Sequence, residues 1–186
     1  MTKIKEDKIF IFTDCASYHN NYEDKKGIAY YTIVNNKLEV LKDGFKAFNK
    51  SNNFCELYSI LLGLTTILRN LELVDQFDPP IHEIEVVSDS EYCIKGFSER
   101  VRDWQLRGWK TKAKTPVKNI ELWKKGIEIM DFAKEKGIEL IFTHQKGHKG
   151  KKISKEENYM IYFQEQCDTN ANKHMNEVLS YLGLSR

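Results

Sequence analysis

At 186 residues, 41% of them apolar and only three of them proline, the chain is long enough to bury roughly two thirds of its unfolded surface, so a single domain over residues 1–186 is expected. No run approaches the roughly 20 apolar residues of a membrane span, and the charged start, residues 1–8, lacks the apolar core of a signal peptide; a cytoplasmic protein without membrane association is expected. The formal charge of +2 is unevenly spread, because residues 100–118 hold seven Lys/Arg against one Asp and leave the remainder net negative.

Residues 8–13 (KIFIFT) form a short apolar strand running into Asp14. A polar loop over residues 18–26 carries Asn20 and Asn21, either turn formers or ligand-facing groups. Residues 27–34 (GIAYYTIV) give a second strand, Asn35-Asn36 a hairpin turn, and residues 37–47 its partner, so three antiparallel strands open the fold. Ser51, Asn52 and Asn53 precede a long helix whose Leu57, Ile60, Leu61, Leu64, Ile67, Leu68 and Leu71 recur at helical spacing. Glu56 falls in its first turn, beside Leu57 at the border of the apolar stripe.

After a loop with Asp78, Pro79 and Pro80, the β-branched residues Ile84, Val86 and Val87 mark a strand that ends on Asp89 and is expected to lie parallel to the first. Ser90 offers an N-cap to a helix carrying Tyr92, Ile94 and Phe97. Trp104 and Trp109 then sit among Arg100, Arg102, Arg107, Lys110, Lys112 and Lys114, the mixture of stacking surface and positive charge that a nucleic-acid backbone requires. Thr115-Pro116 reads as N-cap and first residue of a helix with Val117, Ile120, Trp123, Ile127 and Met130 on one face and Gly137 past its end. Residues 138–143 form the fifth strand, which leads into a glycine-flanked loop, 144–150. Residues 151–157 read as a charged loop insertion before a last helix with Cys167, Ala171, Met175, Val178 and Leu182 on its buried side and Asp168 beside them.

The predicted class is α/β, a five-stranded mixed sheet of three antiparallel strands followed by two parallel ones, flanked by helices. In such a sheet Asp14 and Asp89 end neighbouring strands, while Glu56 and Asp168 approach from helices. Carboxylates converging at one point repel, and the ordinary remedy is a hard divalent cation with oxygen ligands, Mg²⁺ or Mn²⁺. Two such ions, roughly 3.5–4 Å apart, activate a water and stabilise a leaving alkoxide in an in-line phosphodiester displacement.

The segments FTDCAS around Asp14, SNNFCEL around Glu56, VVSDSEYCIKG around Asp89, RDWQLRGWKTKAKTPVKNIELW, QKGHKG around His148 and CDTNANKHM around Asp168 follow one another in an order that resembles ribonuclease H of the type 1 class, over nearly the whole chain. The resemblance implies a ribonuclease H-like fold and endonucleolytic cleavage of the RNA strand of RNA–DNA hybrids, with two divalent ions per site, leaving a 5′-phosphate and a 3′-hydroxyl. It implies that Asp14, Glu56, Asp89 and Asp168 bind the ions and that the loop residue His148 assists proton transfer or product release. Asn52 and Asn53 match positions that sense RNA 2′-hydroxyls, and Ser51 one that faces a DNA phosphate. Trp104, Arg107, Trp109, Lys110 and Lys118 match the basic protrusion that holds the hybrid. Nothing suggests more than a monomer.

Cys15 stands where the family usually has glycine, Arg100 where the bacterial form has tryptophan, and Glu91 where a glutamine reads the minor groove; Glu91 is expected to weaken hybrid binding, and the loop between His148 and Asp168 is long. The competing readings are a related nuclease acting on another duplex and a hybrid-binding module with impaired catalysis. The four cysteines form no C-x-x-C pair, which argues against a zinc site or a disulfide framework. Each lies near one of the acids, so oxidation of a thiol is expected to disturb the site unless burial keeps the thiols unreactive.

Overall fold

The apolar residues of the first strand alternate, Ile9 and Ile11 facing one core and Phe10 and Phe12 the other, and this period of two makes a sheet buried on both sides. The computed structural model describes residues 4–20, 24–71, 80–146 and 153–184. In chain order the elements are β1 (Lys8–Asn20), β2 (Asp24–Asn35), β3 (Val40–Phe48), α1 (Asn52–Leu71), β4 (Glu83–Ser88), α2 (Glu91–Lys95), a π-helical turn (Gly96–Arg100), α3 (Val101–Leu106), α4 (Ile120–Glu135), β5 (Glu139–His144) and α5 (Lys155–Tyr181). The strands lie in the order β3-β2-β1-β4-β5, antiparallel through the first two pairings and parallel through the last two, which is the mixed sheet that the sequence predicts.

The face of Ile9, Ile11, Tyr31, Ile33, Ile84 and Val86 receives α1, whose stripe from Leu57 to Leu68 is buried, together with Phe97 and Trp123. The opposite face, with Phe10, Phe12, Ile28, Tyr30 and Val87, receives α5 through Phe163, Cys167, Ala171, Met175 and Leu179, one residue every four. Among the described residues no helix is long and apolar enough to cross a membrane.

Several boundaries differ from expectation for local reasons. β1 does not stop at Asp14 but continues to Asn20, because β2 supplies a partner along its whole length, up to Asn20 opposite Asp24. The turn after β2 is longer than two residues: the Asn35 side chain accepts from the amides of Lys37 and Glu39, and Leu38 takes a positive φ of 61°. α1 already includes Asn52, so Glu56 lies in the second turn. Thr115 and Pro116 do not start α4. They close a small arm in which Lys110 bridges Pro116 and the Val117 amide bonds the Trp109 carbonyl at 3.0 Å, and the helix begins only after Asn119, held at φ 58°. Residues 155–157 are helical, since Ser154 and Glu157 form a reciprocal capping box, and the irregularity is confined to Asn158 at φ −156°. Leu182 lies past the end of α5 and is 47% exposed, so it does not extend the buried stripe. Asn21, Asp78, Pro79 and His148 lie outside the described residues.

Candidate active site

Register sets the first two acids side by side. The parallel ladder between β1 and β4 ends at Thr13 opposite Ser88, so the next residues on the two chains, Asp14 and Asp89, leave the ladder at the same level. His144, opposite Ser88 on β5, stands at that level too, and its Nε2 lies 3.0 Å from the backbone oxygen of Asp89. His144 is exposed there, at the end of the strand that neighbours the one ending on Asp89.

The carboxylates feel one another. Burial raises Asp14, and the charges of Asp89 and Asp168 add to it, so that its carboxyl is pushed up to about 8. Glu56 is raised by burial and then by Asp89, and Asp89 by burial and then by Asp168. Asp89 therefore senses all three of the others. Among the described residues no Lys or Arg forms an ion pair with any of the four.

Three of the acids are instead tied to neutral donors. Asp14 Oδ1 accepts from the Cys15 amide at 2.7 Å, and Oδ2 from Gln164 Nε2 at 3.1 Å. Glu56 accepts from Asn52 Nδ2 and from the Ser90 hydroxyl, both at 2.5 Å, and the same Ser90 oxygen caps α2 by accepting from the Cys93 amide. Asp168 Oδ1 accepts from Asn172 Nδ2 at 2.7 Å. Gln164, Asp168 and Asn172 follow at four-residue intervals on α5, so one helix ridge carries an acid between two amides. Gln164 and Asn172 were not singled out from the sequence, and Ser90 is legible there only as the N-cap of α2. Their part depends on what lies across from them.

No three His, Cys, Asp or Glu side chains among the described residues stand close enough to hold one metal ion as they are placed. The chemistry of the donor set nevertheless suits a hard divalent cation: four carboxylates that repel one another and, among the described residues, have no Lys or Arg ion-pair partner. Gln164 adds an oxygen. Its Nε2 is committed to Asp14 and to the Thr13 carbonyl, and its buried Oε1 has no hydrogen-bond partner. An acceptor left bare beside an acid is one that a metal-bound water would satisfy.

The nucleic-acid candidates divide. Asn52 is turned inward, between Glu56 and the Cys15 thiol, which donates to its Oδ1 at 2.9 Å; Ser51 and Asn53 are exposed at the start of α1. Trp104 and Trp109 are half-buried against the core, Trp104 packing edge-on to Trp123 at 5.3 Å, so the rings anchor the arm at the same time as they border it. Arg107 pairs with Asp103 at 2.9 Å and Arg102 with Asp131, whereas Lys110, Lys112, Lys114 and Lys118 are exposed. Glu91 forms an i,i+4 pair with Lys95, which offsets the repulsion expected of it. Arg100 is exposed at the end of the π-helical turn. Burial, with neighbouring carboxylates, pushes all four thiols up, Cys55 to about 12, so they are not the thiolates that oxidants attack.

The RNase H family model matches the chain over residues 6–175. A Ribonuclease H of Chromobacterium violaceum is 30% identical over 173 residues, 93% of this chain and 98% of that one. Among solved structures, the PFV RNase H domain superposes with a TM-score of 0.64 at 18% identity, covering 88% of this chain and 93% of that one. The foamy viral protease-reverse transcriptase, described in complex with an RNA/DNA hybrid, gives 0.60 at 14% identity over 76% of this chain and 18% of that one.

Proposed function

The chain belongs to the RNase H family and is an RNase H enzyme; from that premise we propose that it cuts the RNA strand of RNA–DNA hybrids internally, leaving a 5′-phosphate and a 3′-hydroxyl, as a monomer acting as one domain over residues 1–186. The observation that carries the reading is the level register of Asp14 and Asp89 at the end of the β1–β4 ladder, with Asp89 sensing both Glu56 and Asp168. These four acids would hold two Mg²⁺ ions, or Mn²⁺ in their place, which when bound supply the charge that activates water and stabilises the leaving 3′-oxygen.

The chain's own groups set up that site. Gln164 and the Cys15 amide fix the two oxygens of Asp14, and Asn52 and Ser90 those of Glu56. Such fixing keeps each carboxylate from turning away from its neighbours before ligands arrive. Ser51 and Asn53, exposed at the head of α1, face the strands of the duplex, where a 2′-hydroxyl distinguishes RNA from DNA. Lys110 and Lys118, with Arg107, Trp104 and Trp109, hold the hybrid's backbone. His148 moves a proton or eases product release.

The test is cleavage of three end-labelled duplexes of one sequence, RNA–DNA, RNA–RNA and DNA–DNA, with Mg²⁺, with Mn²⁺ and with chelator. Cutting of the hybrid's RNA strand alone, dependent on metal, is expected; equal cutting of another duplex, or cutting in chelator, sinks the reading. Asp14→Asn is expected to lower cleavage at least about a thousandfold, roughly 4 kcal/mol of transition-state stabilisation, while hybrid binding persists.

A further inference from the structure

Phe48, Phe54 and Tyr58, which belong to neither hydrophobic core, pack on one another. Phe48, at the end of β3, packs edge-on against Tyr58 at 4.5 Å and Phe54 at 5.2 Å, and the latter two, one turn apart on α1, stack at 6.1 Å. Two lysines crown them. Lys46 Nζ stands 5.5 Å from the Phe48 centroid and 5.4 Å from that of Tyr58, whose hydroxyl accepts from it at 3.3 Å, and Lys50 Nζ stands 5.7 Å from the Phe54 centroid. Both lysines are exposed, and among the described residues neither forms an ion pair.

Sheet register places this ridge relative to the acids. Lys46 is opposite Ala29, and Ala29 is opposite Cys15, the residue after Asp14. Lys46 is thus level with the candidate site and two strands away, on the order of 10 Å at the usual strand spacing. The basic arm comes after α2 and the π-helical turn, which pack beside β4 and β5, so the ridge and the arm lie toward opposite edges of the sheet with Asp14 and Asp89 between them. A ring face holds an ammonium in place without neutralising it, so the charge remains available to an anion at reduced ordering cost.

We propose that Lys46 and Lys50, seated on Phe48, Phe54 and Tyr58, contact backbone phosphates of the bound duplex on the side of the cleavage site away from the arm. The inference rests on the reading that the chain binds RNA–DNA hybrid, and it makes the ridge a second electrostatic foothold. With footholds on both sides of the acids, the duplex is held across the site rather than pivoting on the arm.

The experiment measures affinity for a 20-base-pair hybrid as a function of salt in the Asp14→Asn background, which binds without cutting, and then in that background with Lys46→Gln/Lys50→Gln or with Lys112→Gln/Lys114→Gln on the arm. Each lost phosphate contact lowers the log–log salt slope by about 0.9, so the ridge pair is expected to lower it by about two and to weaken binding about tenfold near 0.1 M salt. Thermal midpoints, expected to be unchanged for these exposed substitutions, verify the fold. Tyr58→Leu, with both lysines kept, is expected to weaken binding by a few-fold through looser lysines. An unchanged slope and affinity for the ridge pair, with a clear loss for the arm pair, overturns the proposal and leaves the hybrid reading intact. If the background itself shows no salt-dependent binding of hybrid, both fall together.

Discussion

At the scale of the residue, Asp14 ties folding to pH. Its carboxyl, pushed up to about 8 by burial and then by Asp89 and Asp168, holds its proton in the folded chain over a range in which the unfolded chain has lost it. The folded state then binds more protons, so the stability this group confers is full below about pH 4 and is lost as pH rises through about 8. Glu56 and Asp89 shift in the same direction. In chelator, the melting midpoint is therefore expected to fall between pH 5 and pH 8, by an amount on the order of a few kcal/mol in stability. Asp14→Asn should flatten that fall; an identical pH profile for the variant would show that Asp14 is not the strained group. Gln164 makes the complementary case. Gln164→Leu is expected to weaken Mg²⁺ binding, read by calorimetry, by roughly 10–100-fold, the usual cost of losing a group that orients a ligand. A lower melting midpoint with unaltered Mg²⁺ affinity would reduce Gln164 to packing.

At the scale of the element, the segment after Asp89 changes helical pitch. Ser90 caps α2, and after five residues the chain enters the π-helical turn, where the Val101 amide bonds back to the Gly96 carbonyl and the Ser98 hydroxyl to the Ile94 carbonyl at 2.8 Å. The extra residue in that turn rotates α3 about its axis, so that Phe97 and Val101 are both buried and Trp104 still reaches Trp123. Gly96 makes this packing possible. A Cβ there would stand 2.1 Å from Cη2 of the buried Trp123, whose indole N–H donates to the Tyr92 hydroxyl. Gly96→Ala is expected to cost about 1–3 kcal/mol, read as a lower urea midpoint. Because Trp104 roots the arm, hybrid affinity should drop in the same variant; a normal midpoint would mean that Trp123 moves aside freely.

At the scale of the whole molecule, one sheet separates two cores, and along β1 the residues from Ile9 to Phe12 serve the two in alternation. Leu64, on the α1 side, and Met175, on the α5 side, are both fully buried. Either changed to alanine is expected to lose about 2–5 kcal/mol. Since β1 and β2 are shared, both variants should still unfold in a single transition, with far- and near-ultraviolet circular dichroism coinciding. Separate transitions for the two faces would contradict the single-domain expectation. The capping box at Ser154 and Glu157 belongs to this scale as well, because it starts the helix that brings Asp168 and Gln164 to the sheet.

The sequence by itself determined the strands and helices with strong periodicity, the mixed sheet of antiparallel then parallel strands, and the family, and it singled out four acids that the structure brings within reach of one another's charge, because alternation, helical spacing and an acid at a strand's end are local patterns that the chain writes out residue by residue. It misplaced the starts of α1 and α5, the latter set by the local capping box at Ser154, and the start of α4 and the end of β1, where contacts outside the element decide: β2 prolongs β1, and the arm's bridge to Pro116 delays α4. Only the tertiary structure decided which neutral side chains hold the acids, that Asn52 turns inward, and that Lys46 stands level with Cys15. The physical reason is that a hydrogen bond between Gln164 and Asp14, 150 positions apart, depends on how α5 lies across the sheet, and no spacing in the chain encodes that packing.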